Sequence, residues 1–456
     1  MVGERLPQKV HWYQGGEEDA QVNDALDDLL SQRLTARAAV QIALLNNRNL
    51  QSEYETLGIA QADLVQAGLL SNPVLFASIR FPDGAGGNNT EFDLAKEFLD
   101  ILLRPARLRL AKAEFERIKL HVAKSVLDLA ADVQNAFHRV QGMLQLSEIL
   151  SVTADAALAS YQIAQSFDKA GNLSELELAQ ERSGAAEMHA QLLESRAGLQ
   201  AVRDELNRLL GLTGTARDWQ LASELSKLPD TEPDPNVAEE TAVERRLDLN
   251  EKRREIAQLA DALQITSDYR WIGGASVGVS TERDSDGSRV TGPNFSVEIP
   301  IFDQRQAAIA RLESLLAQSQ SRYDALLAEI QNEVQHAANR VSAAREIVEY
   351  YRDELIPVQE QVVKFTQQEQ NYMLVDVFEL LFARRQATQA YRGYIEGLTE
   401  YWMARTELAR ASGTGLPNIT ESDKASSMEN EQAILKGKDP DESHDMSSEK
   451  ANEHHH

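Results

Sequence analysis

VAKSVLDLAADVQNAFHRV (122–140) sets Val122, Val126, Leu129, Val133, Ala136 and Val140 at alternating spacings of four and three residues. That rhythm is the seam of a coiled coil. It returns in IQNEVQHAANRVSAAREIVEYYRDEL (330–355), at Ile330, Val334, Ala337, Val341, Ala344, Val348, Tyr351 and Leu355. The flanks of both runs are polar, and the small alanines let neighbouring helices approach closely. Each seam sits within a longer helical stretch, 104–169 and 304–368. At a rise of 1.5 Å per residue each spans roughly 100 Å, far beyond a globular helix. Pro357 falls inside the second stretch and predicts a kink.

Working outward, each long helix is followed by a turn and a helix of intermediate length. The first turn is Ala170-Gly171-Asn172, leading to 173–210; the second surrounds Asn371 and leads to 373–411. Another intermediate helix precedes each long one, at 35–70 and 237–267. Between them lie strand candidates. Segment 74–81, the turn-rich 83–89 and segment 91–98 form the first hairpin; 271–281, the loop 282–293 and 294–301 form its echo. The alternation puts Leu75, Ala77, Ile79, Phe81, Phe92, Leu94 and Phe98 on an apolar face, with Ala275, Val277, Val279, Phe295, Val297, Ile299 and Ile301 in the echo. Arg80, Glu91, Asp93 and Glu298 fall on the polar face, and Lys96 is an exception on the apolar one.

An offset of about 200 residues superposes Leu50 on Leu249, hairpin on hairpin and turn on turn, the mark of an internal duplication. The expected organisation is an N-terminal segment 1–34, a first repeat 35–210, a proline-bearing linker 211–236 at mid-height, a second repeat 237–411 and an acidic, disordered tail 412–456.

Composition narrows the function. Only 6% of the 456 residues are aromatic and the net charge is −26, which points away from nucleic acid and suits either a cation-lined passage or plain solubility. Cysteine is absent, so there is no disulfide framework and no thiolate nucleophile. No apolar run approaches the roughly 20 residues of a membrane helix, so any crossing must use strands. The first residues lack a basic stretch followed by an apolar core, so a secretory signal is either absent or already removed. No phosphate-binding glycine loop, serine-nucleophile elbow or zinc-protease signature is present, and no enzyme is expected. The strands fit either membrane spans or hairpins packed on soluble helices. Uncovered apolar faces and polar tips favour the membrane, and because four strands cannot close a barrel, several chains must contribute.

Several local phrases then resemble the TolC-like outer-membrane efflux proteins. They are Leu57-Gly58-Ile59-Ala60-Gln61-Ala62-Asp63-Leu64 leading to Asn72-Pro73, and Leu206-Asn207-Arg208-Leu209-Leu210-Gly211. Ile299-Pro300-Ile301-Phe302-Asp303 and Val375-Asp376-Val377-Phe378-Glu379 complete the set. The resemblance covers roughly 35–411. It implies a mainly α chain with four transmembrane β-strands, contributing to a trimeric 12-stranded barrel and an α-helical tunnel. It also implies an outer-membrane site reaching into the periplasm, contact with outer-membrane lipid, a periplasmic adaptor and an inner-membrane pump, and no cofactor.

By the same resemblance an acidic entrance ring maps onto Asp376 and Glu379, which at a spacing of three would share a helix face. The first-half equivalent is Glu177, with Glu175 as the alternative. Gly171, Asn172, Asn371 and Tyr372 are the expected adaptor-docking turns, and Arg80, Glu91, Asp93 and Glu298 the barrel lumen. Asn371 stands where the family usually has glycine, Tyr372 about where some members carry a gate-locking arginine, and the lipid-anchoring cysteine of many members is missing. Trp271 suits an interfacial belt, and Trp12, Trp219 and Trp402 suit packing anchors. His121, His138, His189 and His336 read as isolated structural residues; His444 and the terminal His454–His456 would bind a metal or be a tag remnant. The cargo, drugs or metal ions, stays open. The competing function is a soluble coiled-coil scaffold.

Overall fold

The computed structural model describes residues 3, 5–81, 83, 87–221, 225–284 and 286–417. The expected tail beyond 417, His444 and the terminal histidines lie outside them, as do Gly84–Gly86 of the first hairpin loop. Two compact units result, and each draws on both halves of the sequence: Met1–Arg48, Leu127–Glu240 and Glu333–His456 in one, Asn49–Val126 and Thr241–Asn332 in the other.

The smaller unit holds the sheet. Strands β1 (Val74–Arg80), β2 (Asn89–Glu97), β3 (Ala275–Arg283) and β4 (Arg289–Val297) pair in the order β1-β2-β3-β4, each antiparallel to the next. Leu75 faces Leu94, which faces Val279; Ala77 faces Phe92; Val277 faces Lys96 on one side and Phe295 on the other. The apolar side is therefore continuous across all four strands. Lys96 stays on it because its ammonium donates to the Ser71 carbonyl at 2.8 Å.

The second hairpin departs from its expected bounds. Trp271 lies in the turn closing α7 (Leu247–Asp268), where Ile272 N–H donates to Tyr269 O, and β3 starts only at Ala275. Residues 289–293 belong to β4, so the loop shrinks to 284–288, closed by Asp284 N–H on Ser288 O at 2.9 Å. Ile299 and Ile301 fall beyond β4: Pro300 has no N–H to give the ladder, and Ile301 N–H turns back onto Ile299 O at 2.9 Å.

Among the described residues, two expected helices are each divided and one more precedes them. The intermediate helix expected at 35–70 breaks at Asn47 into α2 (Ala36–Asn46) and α3 (Arg48–Gly68). The break frees side-chain amides to cap another helix. Asn47 Nδ2 donates to Leu209 O at 2.8 Å and Asn46 Nδ2 to Leu210 O and Gly211 O at 2.9 Å, satisfying the last carbonyls of α5 (Glu175–Leu210). The echo breaks likewise at Arg246, between α6 (Pro235–Arg245) and α7. Helix α1 (Glu17–Ser31) precedes them, in what was expected only as an N-terminal segment.

Helix α4 (Leu99–Lys169) runs 71 residues without a break. The second long stretch does not. Helix α8 (Gln306–Tyr350) gives way to a π-helical turn, Tyr351–Leu355, before α9 (Ile356–Asn371) continues. Ile356 N–H reaches back five residues to Tyr351 O. The cause is next in sequence: Pro357 in a regular α-helix would lose a hydrogen bond and press on the carbonyl four residues earlier, costing about 3 kcal/mol, and a wider turn relieves the clash. The expected kink is thus an inserted residue. The chain closes with α10 (Val377–Ser412), whose Trp402 Nε1 donates to Ser226 O, while Trp219 in the linker donates to Asn207 Oδ1; both indoles are buried.

Candidate functional site

The two helical turns are built alike. In the first, Gly171 N–H donates to Asp168 O and Asn172 N–H to Phe167 O, both at 2.9 Å; in the second, Met373 N–H donates to Gln370 O and Leu374 N–H to Glu369 O, again at 2.9 Å. This paired closure of a helix C-terminus needs one left-handed residue. Gly171 supplies it at φ 72°, and in the second turn Met373 does so at φ 58°. The expectation that Asn371 replaces the glycine is therefore corrected: Asn371 is the last residue of α9, and Tyr372 follows it with φ −89°. The tips are apolar as well as polar. Leu176, Tyr372, Met373 and Leu374 are all largely exposed, Met373 at 93%.

Each turn leads into a capped helix. Ser174 accepts from Glu177 N–H at 3.2 Å while the Glu177 carboxylate accepts from Ser174 N–H at 2.9 Å, a reciprocal box that starts α5. These hydrogen bonds hold the Glu177 carboxyl below its ordinary range. At the second turn Asp376 is the cap, accepting from Glu379 N–H at 2.9 Å. Asp376 is thus extended backbone just before α10 rather than a member of its first turn, because its short carboxylate is what closes the helix end. By position in the caps Glu177 corresponds to Glu379, and Ser174 to Asp376. Asp376, Glu379, Glu177, Gly171 and Asn172 lie at or beside these turns, and all are exposed.

On the sheet, a polar network covers the other face. Arg80 donates to Glu91 at 3.1 Å, Asn89 to Glu282 at 3.0 Å, and Asn294 to Asp93 at 2.7 Å. The last bond spans from β4 to β2 over β3, and only a glycine at 278 permits it: a Cβ there would lie 2.3 Å from Asn294 Oδ1. Glu91 faces Glu282 directly across the ladder. Glu298 sits one residue beyond β4, where its carboxylate accepts from Gly274 N–H at 2.9 Å. The sequence did not announce the Asn294–Asp93 bridge; a glycine between two otherwise regular strand residues was its one signal.

His138 and His121 differ from the isolated residues expected. His138 is buried, stacks on Trp402 at 5.9 Å, and burial pushes its pKa down to about 4. His121 lies 3.7 Å from Glu53 and 3.5 Å from Glu251 through different ring nitrogens, so the three do not converge on one point. Among the described residues no group of three or more histidine or acidic side chains could hold a metal ion. No helix there is long and apolar enough to cross a membrane.

No protein-family model matches the chain. Among curated proteins, the cobalt-zinc-cadmium resistance protein CzcC of Cupriavidus metallidurans is 24% identical over 389 residues, covering 83% of this chain and 90% of that one. Among solved structures, the CmeC outer membrane channel of Campylobacter jejuni superposes with a TM-score of 0.71 at 15% identity, over 96% of this chain and 95% of its own. A membrane protein from Pseudomonas aeruginosa does so at 0.69 and 18% identity, over 83% and 93%. The fold is that of the TolC-like outer-membrane efflux proteins.

Proposed function

We propose that three copies of this chain form an outer-membrane exit duct that passes small molecules or metal ions outward from a periplasmic adaptor and an inner-membrane pump. One observation carries the reading. Leu75, Ile79, Phe92, Leu94, Val277, Val279, Phe295 and Val297 make one sheet face on which every member is at least 46% exposed, backed by a polar face of bonded carboxylates, amides and guanidinium. An apolar patch of that kind is not left to water in a soluble monomer. Strands of seven to nine residues with apolar-out, polar-in alternation suit a barrel wall. β1 and β4 each keep one edge without a partner strand in the protomer, and pairing β4 of one copy with β1 of the next closes the ring.

In this reading Arg80, Glu91, Asp93 and Glu298 line the lumen, and Asp376, Glu379 and Glu177 repeat around the three-fold axis as acidic rings at the entrance. The exposed Tyr372, Met373 and Leu374, with Gly171 and Asn172, present the adaptor-docking turns. The internal duplication, with repeats 35–210 and 237–411, belongs to the same proposal. Likeness to the metal-resistance protein CzcC favours a cation cargo, as does the net charge of −26. The test is purification in detergent followed by mass determination and planar-bilayer recording. A trimer that conducts with cation preference is expected; a chain that stays monodisperse and non-trimeric in plain buffer overturns the proposal.

A further inference from the structure

The apolar seam of the second long helix does not stop at the π turn. Beyond Val348, Tyr351 and Leu355, the same three-and-four spacing continues through Val358, Val362 and Phe365. These three nevertheless point to solvent, 50%, 43% and 58% exposed. The π turn explains the mismatch. One extra residue in the turn sets every later residue back by about 100° around the axis, so Gln359, Val363 and Thr366 are half-buried in place of their predecessors.

What α9 presents inward is correspondingly mostly polar. A cleft of about 610 Å³ lies between α9 and helices α4, α5 and α10 of the same unit. Its far wall includes Val152, Phe378 and Leu381 together with Glu181, Arg384 and Arg385, while α9 turns Glu360, Gln361, Lys364 and Gln367 towards it beside Val363. The cleft is unfilled space of mixed lining, while an apolar stripe on the other side of α9 is exposed.

We infer that the π turn is a register switch: α9 has a second, regular α-helical register in which each of its residues takes the place now held by its successor. In that register Val358, Val362 and Phe365 rejoin the seam and face α10, and Gln361 and Lys364 move to the outer sites that Val362 and Phe365 now occupy. Three features hold the present register against that gain in burial, the first a hydrogen bond from the Tyr391 hydroxyl of α10 to the Glu360 carboxylate. Pro357 disfavours a regular turn ahead of it. Tyr351 fills the notch left by Gly393 on α10, where a Cβ would lie 2.3 Å from its ring. Two packings separated by one residue of rotation, each with its own stabilising contacts, make a discrete switch rather than a loose hinge. Because α9 ends in the Tyr372–Met373 turn, the rotation carries that turn with it. The inference concerns one helix and stands whether or not the chain forms a duct.

The chain has no cysteine, so single thiols report cleanly. In the full-length protein, Phe365→Cys is expected to react quickly with a water-soluble maleimide and Val363→Cys slowly. Pro357→Ala, which removes the brake, and Gly393→Ala, which expels Tyr351 from its notch, are each combined with either thiol. Each should slow labelling of Phe365→Cys and speed labelling of Val363→Cys by at least about tenfold. Deleting Asp353, which removes the inserted residue and leaves every later residue at its present angle, should keep Phe365→Cys fast and Val363→Cys slow even when combined with Pro357→Ala. If Phe365→Cys stays fast and Val363→Cys slow with both Pro357→Ala and Gly393→Ala, the switch is overturned; those two substitutions decide the matter should the deletion fail to fold.

Discussion

The two long helices share a seam spacing and little else. In α4, residues 130–141 are buried on nearly every side, with only Asp132 and Arg139 exposed, and α10 packs against them. There Asn135 donates to Glu407 at 2.6 Å, and a Cβ on Gly142 would strike Thr399. In α8, over 341–348, only Val341, Ala344 and Val348 are buried, and Ile347 beside them is 50% exposed. A heptad repeat fixes one buried stripe. It does not say how many neighbours a helix has. The difference teaches that α4 is interior over 130–141, whereas α8 over 341–348 keeps a face for something else.

Truncation should expose that difference most strongly. Phe137→Ala, at a position 1% exposed, is expected to cost about 3–5 kcal/mol, read as a lowered denaturation midpoint in detergent. Ile347→Ala should stay within about 0.5 kcal/mol in separated protomers. A loss at Ile347 that emerges only in the assembled protein would place a neighbouring copy on α8 and sharpen the contrast; an equal loss in separated protomers would break it.

The buried environment of α4 also has a pH signature that α8 lacks. The folded-state pKa of His138, pushed down to about 4 by burial, lies below its unfolded value of 6.5. Its contribution is therefore fully present above pH 6.5 and is lost as the pH falls from 6.5 towards 4, since the unfolded chain binds the proton first. At roughly 1.36 kcal/mol per unit the effect is on the order of 3 kcal/mol. His138→Phe, which keeps a ring against Trp402, should flatten that part of the profile between about pH 7 and pH 4.5. An unchanged profile would mean that the ring is not held neutral in the core.

Much of this was legible in the sequence. The heptads located both long helices, and period-two alternation located four strands and their faces, since both follow from which residues must leave water. What escaped depended on contacts far along the chain. Asn46 and Asn47 break a helix in order to cap α5, some 160 residues later. Gly278 is read correctly only when Asn294 and Asp93 lie on either side of it. At the turn, Asn371 looked like the left-handed residue because asparagine tolerates that geometry, yet backbone closure puts Met373 there. The acidic residues were found by phrase, but not that Asp376 and Glu177 also start their helices.

In the proposed duct, that second role makes the charge of the acidic entrance separable from helix capping. Asparagine caps a helix as well as aspartate does, so Asp376→Asn with Glu379→Gln should weaken cation preference, read as a reversal-potential shift in bilayers, without lowering stability. Asp376→Ala should do so and also cost about 1 kcal/mol. Selectivity unchanged by Asp376→Asn and Glu379→Gln would remove these carboxylates from the conduction path.

The smallest expected effect lies where the two turns differ by one side chain. Gly171 adopts φ 72° freely, whereas Met373 bears the left-handed penalty of roughly 1 kcal/mol at φ 58°. Gly171→Ala should therefore destabilise by about 1 kcal/mol. Met373→Gly should stabilise, but by only about 0.5 kcal/mol, because glycine also loosens the unfolded chain. In the protomer the Met373 side chain does not offset the strain, being 93% exposed, and the two backbone hydrogen bonds that close the turn are available to glycine as well. Loss of stability on Met373→Gly, appearing only when the assembled protein is measured, would mean that the left-handed turn exists to hold an apolar side chain out for a partner, and that the second turn is the one specialised for contact.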